Sequence, residues 1–483
     1  MSDARRHVRF GSSEAGGSIG GLRWSQVAIT GAGAAAMLLC LRAGGPAAAA
    51  AGLALGAAAL AVAFVPVAGR PLEAWAMTAV GWAVRRGSGA HRFEATAPVA
   101  GRRGGGEALL DLPPCLDGVR IDAIRTPAGL VGAVREGAWL TAVLDVEGTS
   151  FALLDPEDKD RRVAAFGHAL SSFARPGSPV RRIQWIERSA PQPVGELARH
   201  LRDQVALPVD HRSVRSYLDL VDGAGPDSQD HSCLVALQVD PRRGGRGAAR
   251  EGRGALLMRE LNALSDRLLA AEIGVRGALT PRALARTLRE GLDPDGRWAL
   301  DGPGGDGDGA DPGRFGPLAL EEGWGVCRTD SAWHASYWIS EWPRTDVGCD
   351  FLLPLLLGTG AERAISVVME PLDPSRALRA AENARTNQEA DEELRLRAGF
   401  METARRRRRR EAAHRREQEL ADGHAAFRFS GYVTVSARGL AELDASCAAV
   451  EQAARLAHLE LRRLYGEQQA ALTYTLPLCR GLR

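Results

Sequence analysis

Lysine is almost absent: of the 61 Lys and Arg residues one is a lysine, Lys159, which leaves 60 arginines. A phosphate-binding P-loop needs Gly-Lys-Ser/Thr, because the ammonium reaches the β- and γ-phosphates. Lys159 sits in Asp-Pro-Glu-Asp-Lys-Asp with no glycine before it, so these 483 residues hold no Walker ATPase site. Schiff-base and Ser-Lys chemistries would have to rest on the same single residue. Cysteine is sparse as well. The seven, at 40, 115, 233, 327, 349, 447 and 479, make no CxxC pair, and their odd number and wide spacing fit neither a disulfide framework nor a zinc site. They are expected to be reduced, mostly buried thiols. The ten histidines show no HExxH and no paired His/carboxylate spacing, so no metal or cofactor is expected. No credible nucleophile, base or metal cluster emerges, and the chain is read as a non-enzyme. A basic excess is lacking too. The formal net charge is +2, whereas a domain built on a nucleic-acid backbone usually carries a marked positive surplus. The arginine bias, with heavy Ala and Gly, reads as coding pressure, and direct nucleic-acid binding is not expected.

Long uncharged runs are what the chain does have. After a basic tail over 1–23, WSQVAITGAGAAAMLLCL (24–41) carries no charge, and beyond Arg42 the stretch to residue 69 is again uncharged and rich in Ala, Leu and Val. A bilayer needs about 20 such residues. A signal peptide has a shorter apolar core, of roughly 7–15 residues, and would not be followed at once by a second run. The pattern therefore predicts a transmembrane hairpin over 24–69, with spans 24–41 and 47–69. Arg5, Arg6, Arg9 and Arg23 precede it, Arg70, Arg85, Arg86, Arg92, Arg102 and Arg103 follow it, and only Arg42 lies between the spans. The positive-inside rule puts both ends in the cytoplasm of a plasma-membrane protein. In the juxtamembrane segment and linker, 70–115, PLEAWAMTAVGWAVRR reads either as a helix in the headgroup layer or as a plain linker helix.

The remainder reads as α+β: two cytosolic domains, each an antiparallel sheet with helices on one face, at 116–292 and 321–483. Strands are expected at 118–125, 130–135, 139–146, 180–188 and 232–239. Helices are expected after an Asp155 cap and at 193–205, 210–222, 254–272 and 281–290. An Asp/Gly/Pro-rich linker, 293–320, separates the domains. Its Gly302, Gly304 and Gly307 spell GxGxxG without the strand and helix that give that motif meaning.

In the second domain Trp324, Trp333, Trp338 and Trp342 fall within nineteen residues that read as two strands, which marks either a core or an interface. Further strands are expected at 363–370 and 427–436, with a helix from Gly439. A helical insertion over 374–424 contains Arg405, Arg406, Arg407, Arg408, Arg409 and Arg410, flanked by Glu402, Glu411, Glu417 and Glu419. Six successive residues point all round a helix, so they form no single stripe. A solvated, ion-paired helix, a partner contact or a phosphate contact all fit them. As one helix the insertion would project roughly 70 Å, and a bend near Gly399 would halve that.

SGYVTVS, the helix carrying EQAARLAHLELRRLYGEQQAAL and the ending TLPLCRGL resemble the amino-terminal, non-ATPase domain of type IV secretion ATPases. The whole layout, with its basic start, two spans and AWHASYWISEWPR hairpin, is similar to a family of actinobacterial two-span membrane proteins associated with conjugation-type secretion loci. The resemblance implies a non-catalytic membrane scaffold that anchors a separate secretion ATPase, and a homo-oligomer would be natural beside a ring ATPase. It supplies no catalytic residues. A scaffold of a type VII export system is the alternative; a membrane-surface enzyme or a DNA-binding protein fits less well.

Overall fold

The computed structural model describes residues 24–67, 70–95, 111–148, 151–191, 208, 210–224, 229–243, 252–294, 315–397 and 404–482. The expected helix at 193–205 and the GxGxxG glycines lie outside them. Two apolar helices open the described chain, α1 (Trp24–Ala43) and α2 (Pro46–Phe64), and both are long and apolar enough to cross a membrane. The second ends at Phe64 rather than at 69. Pro66 disfavours helical backbone at the residue before it, and Val65 is extended, with φ −76° and ψ 115°. Its 19 residues still span roughly 28 Å, close to the hydrocarbon thickness. The helices pack closely because a Cβ on Gly33 would lie 2.3 Å from that of Ala59, so glycine lets the backbones approach. Gln26 donates to Ala63 O at 2.9 Å and ties the open end of the hairpin.

A two-residue ladder, β1 (Pro66–Val67) with β2 (Arg70–Pro71), leads into α3 (Leu72–Gly87) and β3 (Arg92–Glu94). Then follow β4 (Val119–Thr126), β5 (Gly129–Glu136), β6 (Trp139–Glu147), α4 (Pro156–Ser171), β7 (Val180–Pro191), α5 (Arg212–Ala224) and β8 (Gln229–Val239). Next come α6 (Arg253–Ala270), β9 (Gly274–Ala278), α7 (Pro281–Leu292), β10 (Ala319–Glu322), β11 (Cys327–Thr329), β12 (Trp333–Glu341), α8 (Leu353–Leu357) and β13 (Glu362–Pro371). The chain closes with α9 (Pro374–Arg397), α10 (Ala404–Ala421), β14 (Phe427–Ala437), α11 (Leu440–Leu456), β15 (Glu460–Arg463) and α12 (Gln468–Leu472).

Where two sheets were expected, the described strands β3 to β15 form one antiparallel sheet of thirteen, ordered β3-β10-β11-β12-β14-β13-β7-β8-β6-β5-β4, with β15 added on β12 and β9 on β6. The halves meet at β7 and β13, paired from Ile183↔Met369 to Ser189↔Arg363. Neither of these strands is an edge, and continuous pairing satisfies the backbone groups that two separate sheets would leave open. The expectation of helices on one face is corrected too. Alternate residues of the same strands are apolar on both sides. Ala133, Ala142, Val235, Leu237 and Ile183 pack under Leu257, Leu261, Leu264 and Leu268 of α6, while Val134, Val143, Ala236 and Ile186 pack under Leu284, Leu288 and Leu292 of α7. A strand covered on both faces carries apolar residues at consecutive positions. Farther along the first face, α8 and α11 cover β12, β13 and β14, with Leu443, Cys447 and Val450 against Tyr337, Val433 and Val435.

The second face is closed by the C-terminal segment, which crosses the strands and so cannot join their ladder. Side chains serve its backbone instead. Gln184, fully buried on β7, donates Nε2 to Ser366 Oγ (2.8 Å), Tyr474 O and Leu476 O (3.0 Å each), and its Oε1 accepts from Cys479 N at 2.7 Å. Gln238 on β8 donates to Leu478 O at 3.4 Å and Thr141 Oγ1 at 3.2 Å. Thr475 Oγ1 donates to Thr434 Oγ1 (2.9 Å), which pairs with Ser336 Oγ (3.0 Å), while Ser336 N donates to Gln468 Oε1 at 2.8 Å. Buried polar atoms thus find partners throughout this row.

His334, on β12, is buried between β11, β14 and the end of α7. Its Nε2 lies 3.1 Å from Leu292 O and 2.8 Å from Thr329 Oγ1, and its Nδ1 lies 2.8 Å from Ser436 Oγ. A carbonyl can only accept, so Nε2 carries the proton and Nδ1 accepts from the serine. Burial pulls the imidazole down from 6.5 to about 4. The unfolded chain therefore binds a proton near pH 6.5 that the fold refuses until about pH 4, and stability is full above 6.5 and lost as pH falls through that window. The loss amounts to about 3 kcal/mol. In urea titrations the stability gap between the wild type and His334→Gln should shrink by that amount from pH 7 to pH 4. A pH-independent gap would contradict the buried neutral ring.

Candidate functional site

The apolar hairpin of α1 and α2 meets the sheet through α3. Its Trp75 and Trp82 are spaced seven apart and so lie on one face. Trp75 packs 5.9 Å from Trp324 and 5.8 Å from Tyr465, and Trp82 meets Trp324 edge-on at 5.3 Å. Trp324 sits in the β10–β11 turn, and Tyr465 follows β15. The turn around Tyr465 needs Gly466, which has φ +68° and where a Cβ would lie 2.7 Å from the Trp324 ring. Arg85, one turn beyond Trp82, pairs with Glu322 at 3.0 Å and donates to Gly466 O. Glu322 is 1% exposed, and its other oxygen accepts from Gln469 N at 3.1 Å. A buried carboxylate loses its cation if α3 leaves, so the ion pair favours the docked state. Arg463, stacked 5.9 Å from the Tyr465 ring, donates to Gly325 O at 2.7 Å and braces the turn from below. The other side of α3 is apolar and exposed: Met77, Val80 and Val84. The helix thus has a face on the body and a second apolar face free, and β3 after it pairs with β10 as the edge of the sheet.

The four tryptophans singled out by sequence separate. Trp324 forms the joint with α3 and is 36% exposed. Trp333 and Trp342 pack, half-buried, against the core under α11, with Trp342 edge-on to Phe429 at 5.4 Å. Trp338 lies on the other face, where Nε1 donates to Ser430 Oγ at 3.0 Å. Trp75 and Trp82, the partners that make Trp324 part of a joint, lie some 240 residues upstream, and no local spacing links them to it.

The charged insertion is a helical hairpin between neighbouring strands β13 and β14. Leu372 N donates to Ala426 O at 2.9 Å at its base, and Arg385 of α9 clasps Glu417 of α10 at 2.8 and 2.9 Å. Its first helix, of 24 residues, is roughly 36 Å long. Arg405, Arg406, Arg407, Arg408, Arg409 and Arg410 occupy the first turns of α10, at the end far from the sheet, and Arg407 is exposed.

One serine, histidine and glutamate do converge. His231 Nδ1 lies 2.8 Å from both Ser189 Oγ and Glu187 Oε1. Proton relay from a serine needs the carboxylate on one ring nitrogen and the hydroxyl on the other, whereas here both share Nδ1 and Ser189 is fully buried. The cluster clasps β7 to β8. All seven cysteines are free, and burial pushes the Cys115 and Cys479 thiols up to about 12 and that of Cys233 to about 11, which keeps them protonated and unreactive. Among the described residues no group of three His, Cys, Asp or Glu is placed to hold a metal ion. No protein-family model and no curated protein matches the chain.

Proposed function

We propose that this protein is a non-catalytic integral membrane subunit of a secretion or conjugation machine of the type IV kind, which holds a separate cytosolic ATPase at the membrane. The observation that carries the reading is the joint: Trp75, Trp82 and Arg85 of α3 lock the membrane hairpin onto Trp324, Tyr465 and Glu322 of the sheet. Such a joint fixes a large body relative to the bilayer, as an anchor requires. The free apolar stripe of Met77, Val80 and Val84 lies directly after the spans and fits the headgroup layer. Away from the joint, the α9–α10 hairpin offers a long charged surface that the sheet itself does not need, in the region whose sequence resembles the non-ATPase domain of secretion ATPases.

Mass spectrometry of proteins that copurify with the tagged full chain in mild detergent tests this. The comparison is a variant in which 373–425 is replaced by a short Asn-Gly turn, which the Pro371↔Phe427 pair at the hairpin base accommodates. A secretion ATPase recovered stoichiometrically with the full chain and lost with the hairpin is the expected result. Recovery of type VII components, or of no partner with either form, would contradict it.

A further inference from the structure

A cleft of about 350 Å³ opens where the ends of β5 to β8 meet the C-terminal segment, walled by Glu136, Trp139, Arg181, Arg182, Tyr474 and Arg480. Two consecutive strand residues normally point to opposite faces. Here the register slips between Val180↔Val239 and Arg182↔Gln238, a bulge that leaves Arg181 as the extra residue. Bulges re-aim side chains, and both arginines line the same cleft.

Their donors are mostly unspent. Among the described residues Arg181 makes one hydrogen bond, to Gln238 Oε1 at 3.0 Å, with its guanidinium 3.4 Å above the Trp139 ring. Arg182 makes one, to Cys479 O at 2.9 Å; its Nε is buried without a hydrogen-bond partner, and its nearest carboxylate, Glu370, stands 4.0 Å away. Glu370 already serves Arg243 at 2.6 Å and Arg428 at 3.5 Å. Glu136 is held by Arg480 at 3.1 and 3.2 Å, and Asp240 accepts from Trp139 Nε1 and Arg242 N. Five guanidiniums thus share three carboxylates. Burial first, and Arg182 beside it second, hold Arg181 below the usual arginine range, the signature of a positive charge with too little compensation.

We propose that this cleft binds a small phosphate-bearing anion, gripped by Arg181 and Arg182, with Trp139 and Tyr474 as its flat walls. Paired guanidiniums present planar forks that match phosphate oxygens, and the volume suits a metabolite-sized ligand rather than a polymer. Arg480, whose three nitrogens are each engaged by Glu136 or Cys115 O, acts as wall and not as ligand.

The test is calorimetric titration of inorganic pyrophosphate into the full chain in phosphatidylcholine nanodiscs at low salt, with the share of tryptophan quenching that Trp139→Phe removes as a second readout. Saturable one-site binding is expected, weakened at least tenfold by Arg181→Gln and by Arg182→Gln. Among the described residues Arg181 hydrogen-bonds to a side chain and to no backbone group, and removing its poorly compensated charge offsets the lost stacking on Trp139, so its variant should keep the wild-type melting temperature, and loss of binding there is not loss of fold. Nanodiscs containing phosphatidic acid identify the source: weaker apparent pyrophosphate binding in them means a lipid phosphomonoester occupies the cleft, and unchanged binding means a soluble ligand. No pyrophosphate binding, or binding equally strong in both variants, overturns the proposal.

Discussion

Replacing Gln184 with leucine should destabilise the folded body by about 4 kcal/mol and free the C-terminal segment. The side chain is fully buried, and its amide serves Ser366 Oγ, Tyr474 O, Leu476 O and Cys479 N. Leucine fills nearly the same space, so little cavity is created. What remains is the Cys479 N–H, the Tyr474 carbonyl and the Ser366 hydroxyl without that partner in an apolar setting, each worth about 1–3 kcal/mol when unpaired, while Leu476 O keeps its bond from Leu478 N at 2.7 Å. Part of that is recovered as the segment shifts toward water, which is why the expected total is lower than the sum. Denaturant titration reads the loss, and limited proteolysis reads its location, with cleavage after Arg480 appearing first. A change below about 1 kcal/mol, with an unchanged cleavage pattern, would mean that the segment is held by its leucines alone.

Arg363→Met should have a comparable effect by a different route. Arg363 is 1% exposed, the largest fully buried side chain among the described residues. Its Nη1 donates to Thr359 O (3.0 Å), Thr359 Oγ1 (2.8 Å) and Ala361 O (3.2 Å), and its Nη2 to Leu356 O. The guanidinium thus gathers the loop that joins α8 to β13. Burial lowers its pKa, partly offset by Glu187 on the adjacent strand. Methionine keeps the apolar volume and removes every donor, which leaves the Ala361 and Leu356 carbonyls unpaired, Thr359 O with its bond from Gln229 Nε2 alone and Glu187 with less compensation, at a cost of about 4 kcal/mol. Arg363→Lys should recover less than half of it, because one ammonium cannot copy the planar fork. Urea unfolding of the three proteins side by side checks the order. A lysine variant as stable as wild type would show that charge alone matters.

The elements that sequence reading placed well are those with a single period. Strands at 119–126, 139–147 and 427–437 and the helices after Asp155 and Gly439 lie where alternation or three-to-four spacing put them. The short strands β3, β9 and β10 escaped because three to five residues carry no period, and β3 is a strand only through its pairing with β10. The single sheet was hidden for another reason. Pairing of β7 with β13 joins residues some 180 apart, and no local pattern records a partner at that distance. Gln184, Ser366, Thr434 and Ser336 look like the solvent side of alternating strands, yet they face a crossing segment whose backbone they satisfy. Small, uncharged polar residues on otherwise apolar strands were the available signal, since a solvated face would carry more charge. At the joint the sequence displayed each tryptophan, but the positive φ of Gly466 and the partner of Glu322 appear only in three dimensions.

The most direct test of a cytosolic body on a two-span anchor is cysteine labelling in intact cells. Ala43→Cys lies at the exposed turn between the spans, and Leu440→Cys lies at the exposed start of α11. With wild type as the background, the account predicts that a membrane-impermeant maleimide modifies the first variant in intact cells and the second only after lysis. Modification of Leu440→Cys in intact cells, or recovery of the protein in the soluble fraction, would contradict it.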